Sequence, residues 1–268
     1  MSVTFRNTIN TGIHGPSTGQ DPLEACLPTA NAFWAGVQPF GYYGGLQDHV
    51  GTYGKHKWQI ADWVSTAVGG AGTALVEIAA AHPSISKTIS RATADNDGYN
   101  LQWSKDGGTT VSDTFLLAAG QLTMAYFRFK VDNSSTDAHT KSKVFVGLSS
   151  SDVGILASDA DVVGFLKAGG AATMVGTIAA GSTATDTAAL ANSLVDNTYI
   201  SLGLRFNGIT SVEFWQGTLP GNMTLSATQT TMTNKPVLGM ALSMAFATSE
   251  AVAIDFYCQQ AEAIQEAI

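Results

Sequence analysis

The alternation of apolar and polar residues is clearest between Leu122 and Lys167. In the run TMAYFRFKV, Thr123, Ala125, Phe127, Phe129 and Val131 share one side, and Met124, Tyr126, Arg128 and Lys130 share the other. A period of two with both charges on one side predicts a strand that covers a core with one face and meets solvent with the other. A polar loop (132–140) follows, then the strand KVFVGL, a second loop and the strand DVVGFLK. Upstream, WVSTAV and TALVEIAA are separated by Gly69, Gly70 and Gly72; each glycine costs a helix about 1 kcal/mol, so two strands and a turn fit better than one helix. SKTISRAT, GYNLQW and TFLLAAG continue the series before Leu122, and AATMVGTIAA continues it after Lys167. Short strands joined by loops of Ser, Asp, Asn and Gly predict an all-β fold, a sandwich of two antiparallel sheets.

The hairpin NTYISLGLRFNGITSVEFWQG carries enough pattern to predict a register. Ile200, Leu202, Leu204 and Phe206 form one face, which Val212 and Phe214 must share. A two-residue Asn207-Gly208 loop would pair Leu202 with Glu213 and put a carboxylate on the apolar face. A three-residue loop from Asn207 to Ile209 pairs Leu204 with Val212 and Leu202 with Phe214, leaving Glu213 outward and diagonal to Arg205. Downstream, Leu238, Met240, Leu242, Met244 and Phe246 alternate inward, as do Val252, Ile254, Phe256 and Cys258, with Asp255 and Tyr257 outward. The last residues, AEAIQEAI, are expected to form a helical turn.

Residues 1–63 obey neither period. They hold Pro16, Pro22, Pro28 and Pro39 and a crowd of aromatics that includes Phe33, Trp34, Phe40, Tyr42, Tyr43 and Trp58. A segment this aromatic and this irregular is expected to become ordered by packing on another surface, as an N-terminal arm or small subdomain used in assembly. The expected division is an arm over 1–63, a sandwich over 64–260 and a short C-terminal tail over 261–268.

Only 13% of the residues are charged, about half of the usual ~25%. Such a surface suits a protein packed in an assembly, and it is also common in secreted β proteins. The formal net charge of -8 argues against binding nucleic acid through its phosphates. No run of ~18 apolar residues predicts a membrane span, and MSVTFRNTIN lacks the features of a signal peptide. Cys258 sits in the inward alternation, so a small core residue is expected there instead of a disulfide with Cys26.

Candidate chemistry is sparse, and no cofactor is expected. Asp95-Asn96-Asp97-Gly98 opens like a calcium loop, but Tyr99 replaces an oxygen ligand, Asn100 stands where glycine is needed, and no Glu ends the loop. Asp95 and Asp97 are therefore weak metal candidates, and a polar turn before a strand is the plainer reading. No paired carboxylates of the glycosidase kind occur, so the chain is not expected to be an enzyme. His14, His49, His56, His82 and His139 show no recognised metal spacing. The outward aromatics Tyr126, Tyr199, Trp215 and Tyr257 are more informative. They are either covered by other segments, or a subunit interface, or platforms for stacking sugars.

The order of a long charged-out strand, a GLS strand, a VGF strand, an EFWQG hairpin and a final IDFY strand resembles the concanavalin-type jelly roll of legume lectins and laminin-G-like modules. The combination of DNDGYNLQW, FLLAAGQLTMAYFRFKV, VFVGLS and DVVGFLK is similar to tailed-bacteriophage virion proteins of that fold, which decorate or cement the capsid. The resemblance covers about residues 85–260. It implies a structural protein on the outer surface of a capsid, partnered by the major capsid protein and by itself as a homotrimer. With it, Phe33, Trp34, Phe40, Tyr42, Tyr43, Trp58, Trp215 and Tyr257 become interface candidates. The alternative is a carbohydrate-binding lectin-like module or virion adhesin with a glycan as its partner; a tail or fibre component is a third reading.

Overall fold

The computed structural model describes residues 41–47, 63–69, 76–78, 84–89, 97–103, 115–119, 122–132, 137–151, 153–157, 161–171, 173–181, 186–207, 210–230, 233, 235–236, 239–250, 252 and 254–266. Within them lie fifteen strands. The first seven are β1 (Gly41–Gln47), β2 (Trp63–Val68), β3 (Val76–Ile78), β4 (Ser84–Ile89), β5 (Gly98–Trp103), β6 (Leu122–Asp132) and β7 (Ser142–Ser149). Then come β8 (Val162–Lys167), β9 (Thr173–Ala179), β10 (Asp186–Ser193), β11 (Ile200–Asn207) and β12 (Val212–Gly217). The last are β13 (Thr224–Gln229), β14 (Ala241–Thr248) and β15 (Ile254–Glu266). One short helix, α1 (Ala138–Lys141), interrupts the loop between β6 and β7.

The strands form two antiparallel sheets. One runs β13-β12-β11-β6-β15-β4-β3, with β1 also paired to β15; the other runs β10-β9-β8-β7-β14-β5-β2. Strand β15 joins several parts of its sheet. It pairs with β6 along one edge, and along the other with β4 through Ile254–Cys258 and with β1 through Gln260–Glu266. A register shift between Cys258 and Gln260 lets the strand change partners.

The core lies between the sheets, and the alternation decides who enters it. Phe127, Phe129 and Val131 of β6, Leu202, Leu204 and Phe206 of β11, and Val212 and Phe214 of β12 meet Val144, Val146, Val163, Phe165, Met244 and Phe246 from the other sheet. Aromatic contacts cross the gap directly. Phe246 and Phe256 stack with centroids 4.5 Å apart and planes within 7°. Phe129 stacks on the same Phe256 ring at 5.3 Å, and Phe165 meets Phe214 edge to face at 5.3 Å. Cys258 is buried within this cluster, as its inward position predicts.

Three expectations need correction. The β11–β12 hairpin keeps the expected facing but slides by two residues: Phe206 pairs with Val212, Leu204 with Phe214, and Arg205 directly with Glu213. A slide of two leaves every side chain on its face, so the apolar pattern cannot choose between the two registers. The observed one sets Gly203 between Tyr126 on β6 and Trp215 on β12. The described residues of TFLLAAG, 115–119, form no strand; Phe115 makes a bridge to Met240, and Phe115 and Leu117 enter the core. The segment expected to form a helical turn at the C-terminus continues β15 to Glu266, with Ala261, Ala263 and Gln265 buried. Strands β10 and β13, rich in Ala, Thr and Ser, carry too weak an apolar alternation to be read. They lie at the ends of their sheets and meet where Ala191 donates its N–H to Ser226 Oγ at 2.8 Å.

The most deeply buried charged residue among those described is a lysine. Lys167, on the inward side of β8, is fully enclosed, and its ammonium donates to the carbonyls of Ser142 and Ala168. Burial lowers its pKa to about 8. The unfolded chain therefore binds more protons than the folded one between pH ~8 and the free-lysine value of ~10.4, and stability rises with pH across that window. In Lys167→Met this contribution is absent. Denaturant midpoints from pH 7 to 10 are expected to show wild type gaining on the variant above pH 8, and a constant difference would contradict the burial. Separately, Phe256→Ala removes the ring that both Phe129 and Phe246 stack on, and a loss of about 3–5 kcal/mol in unfolding free energy is expected.

Candidate functional site

The outer face of the eight-stranded sheet is built by residues that alternation sends away from the core. Pairing across the strands sets them in rows. One row is Tyr257 and Lys130; the next toward the strand end is Asp255 opposite Asp132. On the other side come Arg128 with Ser201, and then Tyr126, Gly203 and Trp215.

A turn just before β11 completes this face. The Asn197 N–H donates to the carbonyl of Val131 at 2.8 Å, which ties the turn to the end of β6. Asn197 takes a left-handed backbone (φ 51), a conformation asparagine tolerates better than most residues. Next to it, Asp196 accepts hydrogen bonds from the N–H groups of Asp137 and His139 and lies 2.9 Å from His139 Nδ1. Burial pushes the Asp196 carboxyl upward, but those two N–H groups and the His139 ring outweigh it and hold it below the usual range. The turn is thus pinned on two sides, and it delivers Tyr199 onto the sheet.

There Lys130 lies between two rings. Its ammonium is 4.6 Å from the Tyr257 centroid and 5.4 Å from the Tyr199 centroid, and it donates to Asn197 Oδ1. The guanidinium of Arg128 sits 5.2 Å from the Tyr199 centroid and donates to the Thr218 carbonyl and, at 3.3 Å, to Ser201 Oγ. The Tyr257 hydroxyl donates to Asp255 Oδ2 at 3.3 Å. Burial, then the Asp255 carboxylate that accepts its proton, raise the Tyr257 pKa above the ordinary tyrosine value. Tyr199, Tyr257, Lys130, Asp132 and Asp255 are all half-buried, and Asn197 is exposed. The arrangement is a pair of aromatic platforms held in place by cations, bordered by carboxylate and amide oxygens that can accept hydrogen bonds.

The residues singled out by sequence fare differently. Tyr257 and Tyr199 come together here. Tyr126 and Trp215 point to the same face but are buried, at 1% and 8% exposure, so of the readings offered for the outward aromatics these two rings fit that of covered rings. Tyr126 shares a 2.8 Å hydrogen bond with Ser201 Oγ, and the Trp215 indole donates to Glu213 Oε2 at 3.1 Å. Asp97 is buried at the start of β5, where its carbonyl accepts the Thr248 N–H at 3.2 Å. Among the described residues no group of three or more His, Cys, Asp or Glu could hold a metal ion. Phe33, Trp34, Phe40, Trp58 and Asp95 lie outside the described residues, as do the side chains of Tyr42 and Tyr43 on β1. Asp132, Asn197 and Lys130 are the additions that only the pairing of distant strands brings to Tyr257.

Solved structures settle the architecture. A Shewanella oneidensis protein of unknown function gives a TM-score of 0.53 at 14% identity, over 84% of this chain and 86% of its own. A peanut lectin with a nine-residue peptide gives 0.51 at 9% identity, over 85% of this chain and 98% of its own. The Lotus tetragonolobus seed lectin gives 0.51 at 8% identity, over 84% and 98%. The fold is a concanavalin-like jelly roll. At these identities the likeness concerns the architecture alone. No family model matches the chain, and no curated protein matches it in sequence.

The electrostatics of the site can be checked by titrating the Tyr257 phenol. Asp255→Asn removes the nearest carboxylate but not the burial, so the phenol midpoint, followed by NMR, is expected to move partway back toward the ordinary tyrosine value. An unchanged midpoint would show that Asp255 does not act on Tyr257.

Proposed function

We propose that the protein is a carbohydrate-binding, lectin-like module that acts by display and not by catalysis. One observation carries the reading: two half-buried tyrosine rings are locked around Lys130 beside oxygen acceptors from Asp132, Asp255 and Asn197. The apolar CH faces of a sugar ring stack on aromatic platforms, and its hydroxyls donate to carboxylate and amide oxygens, so both halves of the required chemistry meet at one place. Locking the rings in advance lowers the ordering cost of binding. Two of the solved structures that share the sandwich are lectins, which fits this reading.

A second reading is decoration of a capsid shell, with the major capsid protein and further copies of the chain as partners on the outer surface. It is favoured by the low charge, 13% of residues, which leaves much of the surface available for burial against neighbours.

A glycan array separates the two. Wild type is expected to bind a defined set of glycans, and Tyr257→Ala and Tyr199→Ala each to weaken that binding about tenfold, the upper range for one aromatic contact. Circular dichroism should remain unchanged. Absence of glycan binding, together with saturable binding to bare phage shells, would overturn the carbohydrate reading in favour of decoration.

A further inference from the structure

The outer face of the other sheet has a different character. The loop between β7 and β8 folds back over it, and its 3-10 turn, Ile155–Ala157, packs Ile155 against Phe145, Val162, Ala179 and Ala245. The sheet admits this cover because Gly147 and Gly164 pair directly beneath the Phe145 ring. An added Cβ on either would come within 2.9 Å of Phe145 Cζ and closer still to the neighbouring strand. The cover is anchored by Gln102 Nε2, which donates to the carbonyls of Ser149 and Ser151 at 2.8 and 2.9 Å.

Beside this cover a recess of about 460 Å³ remains, within the ~300–1,000 Å³ range of small-molecule sites. Val68, Leu156, Leu166 and Ala247 give it apolar walls, and Lys143 and Asn100 also line it. The Lys143 stem runs across Gly169, where an added Cβ would meet its Cε at 2.9 Å. Asn100 is 2% exposed, and its Oδ1 accepts no hydrogen bond. Buried side-chain oxygens nearly always have partners, and a bare one beside a cavity marks the place of a donor from elsewhere. Gln102 Oε1 on the same strand and Thr177 Oγ1 on β9, both on this face, are likewise buried and bare.

We propose that this recess binds a small, largely apolar molecule carrying one hydroxyl or N–H donor, which meets Asn100 Oδ1. A sugar does not suit it, because apolar walls would strand most of its hydroxyls. The site is separate from the tyrosine platform on the opposite side of the sandwich, so either can fail without the other.

The test uses the full chain with isotopically labelled methyl groups and two probes of nearly equal shape, benzyl alcohol and ethylbenzene, which differ in the hydroxyl. Benzyl alcohol is expected to shift the Val68, Leu156 and Leu166 methyl resonances saturably, and to bind about three- to tenfold tighter than ethylbenzene. In Asn100→Ala that preference should vanish while ethylbenzene binding persists. Leu156→Trp, which fills the recess from the half-buried cover, should weaken both probes and keeps the test open if Asn100→Ala does not fold. Absence of saturable shifts would overturn the proposal. So would equal affinity of wild type for the two probes, or a preference that survives Asn100→Ala.

Discussion

Contact between aromatic rings across the two sheets is the constraint on which the rest depends. Phe256 from the eight-stranded sheet lies between Phe129 of its own sheet and Phe246 of the other, and Phe165 and Phe214 repeat the crossing farther along. Because these rings must face inward, their strand neighbours must face outward. Tyr257 stands on the outer face because Phe256 and Cys258 are in the core, and Lys130 does so because Phe129 and Val131 are. The tyrosine platform is therefore a consequence of the core: the alternation that closes the sandwich also composes the surface it displays.

That logic explains what could be read in the sequence. Strand β6 was fully legible, since TMAYFRFKV places its charges and its phenylalanines on opposite faces. So was the facing of Leu202, Leu204, Phe206, Val212 and Phe214. The register of that hairpin was not, because a two-residue slide conserves facing; the observed pairing places Gly203 between Tyr126 and Trp215. The end of β15 was misread because Ala, Glu and Gln favour helix when isolated. Here pairing with β6 and β1 overrides that preference, with Ala261 and Ala263 turned into the core. Of the candidate site, Tyr199 and Tyr257 were visible as outward aromatics. Their gathering around Lys130, beside Asp132 and Asn197, depends on the pairing of β6 with β15 and with β11, strands distant in sequence, and no local pattern records those.

The two outer faces divide the chemistry. On the eight-stranded sheet, cations, carboxylates and rings hold one another at a half-buried surface. On the seven-stranded sheet, Ile155 covers Phe145, Val162, Ala179 and Ala245, and beside it lies a recess whose buried amide oxygen lacks a donor. Among the described residues these two places gather the candidate chemistry, and each rests on paired strands and not on loops alone.

The most direct test of the account is to follow every backbone amide by NMR while a glycan selected from an array is added. The account predicts that the largest shifts cluster at Lys130, Asn197, Tyr199, Asp255 and Tyr257, with the seven-stranded face unchanged. Shifts centred anywhere else on the sandwich would contradict it.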